Sequence, residues 1–166
     1  HGALFTGPAG VGKSHILQAV AALLQSLNEK VICCAYTHAA TRLVGGQTIA
    51  HLLHLNTQLK DVWFLVDEVG LLPLSTLGAM SAWKALGAKF ICFGDFDGQM
   101  EPFRDRWNFP ISLEQSPLMN EMCSALALKV TKYRRGVDAD LFDWFHNMYG
   151  NDDVRTLVAA SRHHRS

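Results

Sequence analysis

The sequence predicts an α/β fold, a mainly parallel sheet of about five strands with helices on both faces. Three observations predict it. Short apolar runs alternate with longer segments of helical spacing, a glycine-rich turn separates the first run from the first helix, and the polar chemistry collects where apolar runs end. In open sheets of this kind ligands gather beyond the carboxyl ends of the strands, so motifs placed there can share one substrate.

The elements follow in order. Ala3 to Thr6 is a short apolar run that reads as a buried strand, and Lys13 to Leu27 carries apolar residues at helical spacing, broken by Gln18 and Gln25. Val31 to Tyr36 is the second strand candidate, followed by helical patterns over His38 to Val44 and Thr48 to Leu55. Val62 to Val66 is the third strand and Leu74 to Leu86 the helix after it; Phe90 to Phe93 is the fourth strand. Pro117 to Leu126 has helical spacing and leads into a fifth strand, Leu126 to Val130. Val137 to Met148 reads as a terminal amphipathic helix whose buried face carries Leu141, Trp144, Phe145 and Met148.

At 166 residues, 49% of them hydrophobic, the chain suits one compact domain. Lys plus Arg and Asp plus Glu both number 15, so net charge argues for neither nucleic acid nor a membrane surface, and any nucleic-acid contact must be local. Cys33, Cys34, Cys92 and Cys123 show no CxxC spacing and read as reduced core thiols. No apolar stretch approaches a membrane span, which predicts a soluble, intracellular protein. The chain opens at His1 with its first motif only six residues on, as expected of a piece of a longer protein; residues 1–160 read as the domain and 161–166, with His163 and His164, as a tail.

Gly7-Pro8-Ala9-Gly10-Val11-Gly12-Lys13-Ser14 stands between the first strand and the first helix, the context that a phosphate-binding loop requires. Its glycines let backbone N–H groups converge on oxyanions, and the helix amino terminus adds positive potential. Lys13 is placed to reach the outer phosphates of ATP and Ser14 to ligate Mg2+. The bland alternative is a glycine-rich turn.

The third strand delivers Asp67 and Glu68 to the same edge of the sheet, a Walker B arrangement. Asp67 suits the magnesium shell, while Glu68 suits the orientation or deprotonation of an attacking water. Acidic residues at strand ends also cap helices, which is the competing reading. The fourth strand ends in Gly94-Asp95, with the neutral amide of Gln99 four residues beyond Asp95, suited to sensing a terminal phosphate.

A strand ending in Asp67-Glu68, a next strand ending in Gly94-Asp95 with nearby Gln99, and Tyr133-Arg134-Arg135 after a fifth strand together resemble superfamily 1 DNA helicases. The chain is most similar to the 1B group, which contains the petite-integration-frequency and RecD helicases. The resemblance runs from the phosphate loop through the helical segment after Arg135 and implies the first RecA-like domain of such a motor. It implies that Arg134 approaches the γ-phosphate, and that Thr37, His38, Thr48 and His51 lie where the family touches a single strand. It further implies single-stranded DNA, or RNA, as partner, a second RecA-like domain on the same longer chain, and 5′ to 3′ translocation.

The residues themselves leave alternatives open. Thr37 and Thr48 suit a DNA backbone contact or a helix cap, and His51 and His54 read as ordinary surface or core histidines rather than metal ligands. The segment from Phe103 to Phe109 mixes arginines with aromatics and reads first as a salt-bridged loop, then as a single-strand grip. A loader-type or partner-remodelling ATPase shares the loop and the Asp-Glu pair, a nucleotide-gated binding module needs only the loop, and a small-molecule kinase fits Glu68 poorly.

Overall fold

The computed structural model describes residues 2–55, 60–96, 113–124 and 126–134. Within them the alternation becomes β1 (Gly2–Thr6), α1 (Lys13–Ser26), β2 (Lys30–Ala35), α2 (His38–Val44), β3 (Gln47–Thr48), α3 (Ile49–His54), β4 (Val62–Asp67), α4 (Leu74–Ala85), β5 (Lys89–Gly94), α5 (Pro117–Met122) and β6 (Ala127–Lys129). Short 3-10 turns occupy Val69–Leu71 and Leu113–Gln115. The sheet runs β3-β2-β4-β5-β1-β6, and every pairing is parallel.

All five expected strands form, and a sixth, β3, is added at the edge. Its two polar residues give no apolar run to detect; what makes the pairing possible is Gly46, where an added Cβ would lie 2.1 Å from the Cys33 carbonyl oxygen. Thr48, expected inside a helix, instead ends β3 and precedes α3. The helix from Pro117 stops at Met122 rather than reaching Leu126, because Ser124 turns the backbone left-handed at φ 55°. The apolar runs read as largely buried strands; β6, at the sheet edge, departs from that with all three of its residues exposed. The helix expected over 137–148, the 103–109 loop and the tail lie outside the described residues.

Side chains alternate across the central strands, which divides the core into two layers. Phe64, Val66, Phe90 and Cys92 face one side and pack with Leu77, Met80 and Trp83 of α4, Met119 and Met122 of α5, and Ile49 and Leu52 of α3. Leu65 and Phe93 face the other and meet Leu17 and Ala21 of α1 and Val44 of α2. Phe64 anchors the first layer, its ring 5.1 Å from Trp83 and 5.4 Å from Phe90; burying such a ring contributes about 1.5–3 kcal/mol. Phe5 stacks on Phe93 at 5.0 Å in the second layer. The sheet thus holds the carboxyl ends of β1, β2, β4 and β5 at fixed spacing along one edge.

The thiols agree with the reading of a reduced core. All four are free, three are buried and Cys33 is half-buried. Burial pushes the Cys34 thiol well up, keeping it protonated. Cys92 is pushed up too, first by its hydrogen bond with the Cys123 sulfur and then by burial.

Candidate functional site

The loop after β1 is shaped by its neighbours. The Gly7 N–H donates to the Gly94 carbonyl at the end of β5 at 3.2 Å, and an added Cβ at Gly7 would fall 2.1 Å from the Val130 carbonyl oxygen. Only glycine lets the loop sit this close to the chain leaving β6. Gly12 opens α1 at φ 94° and ψ 22°, a left-handed start with no side-chain cap; its carbonyl accepts from the Ile16 N–H at 3.0 Å, and no Gly12 side chain covers the amides ahead of Ile16. Lys13 folds over the loop, its Nζ donating to the Gly7 carbonyl at 2.5 Å and to the Pro8 carbonyl at 2.8 Å. A cation and a turn of amides are thereby directed to one place, an arrangement that can take up phosphate oxyanions.

Ser14, one residue into α1, donates from Oγ to Asp67 Oδ2 at 2.9 Å. This contact spans a strand, because β5 lies between β1 and β4 in the sheet. Asp67 is 5% exposed, and a carboxylate so buried needs hydrogen bonds; its other oxygen, Oδ1, accepts from the Glu68 N–H at 2.9 Å. The hydroxyl and carboxylate form an oxygen donor set of the kind that a hard cation takes. Among the described residues no group of three or more His, Cys, Asp or Glu side chains forms a further metal cluster.

Glu68 adopts φ 53° and ψ 37°, a left-handed conformation that costs a residue with a side chain about 1–2 kcal/mol. The strain sits immediately after the buried aspartate, where the chain leaves β4 for the 3-10 turn. The Glu68 carboxylate, Oε2, accepts from Thr37 Oγ1 at 3.0 Å. The sheet explains this meeting: Ala35 and Asp67 are register partners on neighbouring β2 and β4, so the residues just past both strand ends emerge side by side.

Thr37 and Thr48 both cap helices. Thr37 Oγ1 accepts from the Ala40 N–H at 3.2 Å at the start of α2, and Thr48 Oγ1 accepts from the His51 N–H at 3.3 Å at the start of α3. His38 and His51 present exposed side chains on these two helices, as does His54. Sequence reading offered the capping role for both threonines; the Thr37 to Glu68 bond it missed, since 31 residues separate the two and only the strand order brings them together.

Asp95, at the end of β5, is 4% exposed, whereas Gln99 lies outside the described residues. After β6, the Arg134 backbone N–H donates to the Gly10 carbonyl at 2.9 Å, which sets this residue beside the loop; its side chain is exposed. Arg135 lies outside the described residues. The loop, Asp67-Glu68, Thr37, Asp95 and Arg134 thus share one edge of the sheet, as the sequence pattern required.

A parallel sheet whose first strand feeds this loop into a helix, with a buried aspartate on the serine of that helix, defines a P-loop fold. Residues 2–103 match the AAA domain family, and the chain belongs to it. Its fold is shared with solved Pif1 helicases. Pif1 helicase from Candida albicans superposes with a TM-score of 0.73 at 20% identity, over 93% of this chain and 42% of that one. Bacteroides Pif1 in complex with ADP-AlF3 and single-stranded DNA gives 0.69 at 18% identity, over 90% of this chain and 42% of that one. The Bacteroides protein bound to single-stranded DNA gives 0.66 at 17% identity, over 89% and 42%. The chain therefore spans less than half the length of the proteins whose fold it shares. No curated protein sequence matches it. No helix among the described residues is long and apolar enough to cross a membrane.

Proposed function

We propose that this chain is the ATP-binding and ATP-hydrolysing lobe of a DNA helicase, coupling hydrolysis to movement along single-stranded DNA in the 5′ to 3′ direction. The observation that carries the reading is the Ser14 to Asp67 contact at the mouth of the loop, which joins a phosphate cradle to a cation-binding carboxylate across the sheet. Fold likeness to Pif1 helicases over 93% of the chain supplies the motor context.

The residues divide the work as follows. The loop from Gly7 to Gly12 and the Lys13 ammonium bind the β- and γ-phosphates of ATP; Ser14 and Asp67 hold Mg2+, which, when bound, neutralises charge on the phosphate oxygens. Glu68 accepts a proton from the attacking water or orients it. Gln99 and Arg134 report the state of the γ-phosphate, and the Arg134 backbone bond to Gly10 supports its place near the loop. Thr37, His38, Thr48 and His51 form the rim that meets the nucleic acid. Movement requires a second RecA-like domain closing over the nucleotide, so the 166 residues alone turn ATP over weakly.

The test is steady-state ATP hydrolysis by the full-length protein with and without single-stranded DNA, beside Lys13→Ala. The expected result is hydrolysis stimulated by DNA and reduced about 100-fold or more in the variant, the scale of losing one preorganised charge on a transferring phosphoryl group. Lysine-dependent hydrolysis indifferent to DNA and RNA would replace the motor with a partner-remodelling ATPase.

A further inference from the structure

The helix that opens at the phosphate loop also holds the far end of the helix that opens at the rim. Gln18 on α1 donates from Nε2 to the Leu43 carbonyl, in the last turn of α2, at 2.8 Å. The last four carbonyls of a helix have no donor within it, so a side chain from elsewhere can take one. Gln18 stands four residues beyond Ser14, on the same side of α1, and moves with the first turn of that helix. Beneath the bond, buried Val44 of α2 packs with Leu17 and Ala21 of α1, which keeps the two helices together whether or not the bond is made.

α2 is arranged to pivot about this end. Gly45 closes it left-handed at φ 67° with open space where a Cβ would stand, and Gly46 is pressed against the Cys33 carbonyl. Backbone thus fixes where α2 stops, while a side chain from α1 sets the direction in which it points. At the other end, roughly 10 Å away by the rise of seven helical residues, stand Thr37 and His38. The outer face between the two ends exposes His38, Ala39, Arg42 and Leu43, with a guanidinium able to meet a phosphodiester. A nucleotide held by Lys13 and the first-turn amides loads α1 at one end; a tilt of α1 is passed through Gln18 to the end of α2, and the pivot turns it into a displacement of the rim.

We infer that Gln18 is a positioning residue through which nucleotide in the loop sets the direction of α2, and with it the affinity of the outer face of α2 for single-stranded nucleic acid. The inference rests on the reading of the loop as the ATP site and of the α2 side as the nucleic-acid rim. Because the bond is exposed and the apolar contact beneath it remains, its loss uncouples the two sites without unfolding either.

The experiment measures the affinity of the full-length protein for single-stranded DNA, with and without a saturating non-hydrolysable ATP analogue, for the wild type, Gln18→Met and Gln18→Lys. Methionine keeps the length of the side chain and removes the donor; lysine keeps a donor. In the wild type the analogue is expected to change DNA affinity about 5-fold or more, the size usual between linked sites. In Gln18→Met the change falls below about 2-fold, while affinity for DNA alone and for the analogue alone stays within about 2-fold of the wild type. Gln18→Lys keeps most of the wild-type change. A Gln18→Met protein coupled as strongly as the wild type overturns the inference and leaves the readings of loop and rim standing, and so does a loss of coupling that lysine does not restore. DNA binding weakened by the same factor with and without the analogue marks a merely structural role and overturns it too. Equal DNA affinity with and without the analogue in the wild type removes the reading of the rim and the inference together.

Discussion

The phosphate loop and the threonine rim lie on the same edge of the sheet and are built by opposite means. The loop is made by backbone: Gly7 fits against Val130, Gly12 turns left-handed, Arg134 gives its N–H to Gly10, and Lys13 folds onto two carbonyls of the loop itself. The rim is made by side chains, Thr37 and Thr48 each accepting a helix amide, with Thr37 also reaching Glu68. A backbone-built site tolerates almost no change at its glycines and depends little on other elements' side chains. A side-chain-built rim can exchange partners, which is what a site that answers to a second ligand needs.

Two substitutions sharpen this contrast. The larger effect belongs to Gly7→Ala, where the new Cβ would meet a backbone carbonyl that cannot rotate away; the positive φ of 152° adds to the strain. Strain of this kind costs about 1–3 kcal/mol before any clash is counted. Urea unfolding is expected to show a stability lowered by at least that amount together with lost ATP binding; an unchanged stability would mean that the loop and the segment after β6 are not packed as described. Thr48→Ala, by contrast, removes only a cap and is expected to lower stability by about 1 kcal/mol while leaving ATP binding intact. A larger loss there would place the rim, too, among the rigid parts of the fold.

The same contrast decides what the sequence reveals. The loop was legible because its function is local: eight consecutive residues, flanked by a strand and a helix, carry their chemistry in their order. Asp67 and Glu68 were legible for the same reason, as the polar end of an apolar run. The left-handed turn at Glu68 was not, because nothing in a Val-Asp-Glu-Val run requires it. Nor was the Thr37 to Glu68 bond, which exists only because β2 and β4 are neighbours; alternation of apolar runs predicts strands but not their order. The edge strand β3 escaped for a third reason: two polar residues add a ladder through backbone bonds alone and bury too little apolar surface to leave a pattern.

If loop and rim serve one reaction, occupancy of one must alter affinity at the other, and by the same factor in both directions. The most direct test is the affinity of the full-length protein for single-stranded DNA, measured with and without a non-hydrolysable ATP analogue and Mg2+, in the wild type and in Lys13→Ala. The expected result is a difference of about 5-fold or more in the wild type that disappears in the variant. Equal DNA affinity with and without the analogue, in a wild-type protein shown to bind it, would contradict the account, leaving a nucleotide-binding domain with no link to the rim.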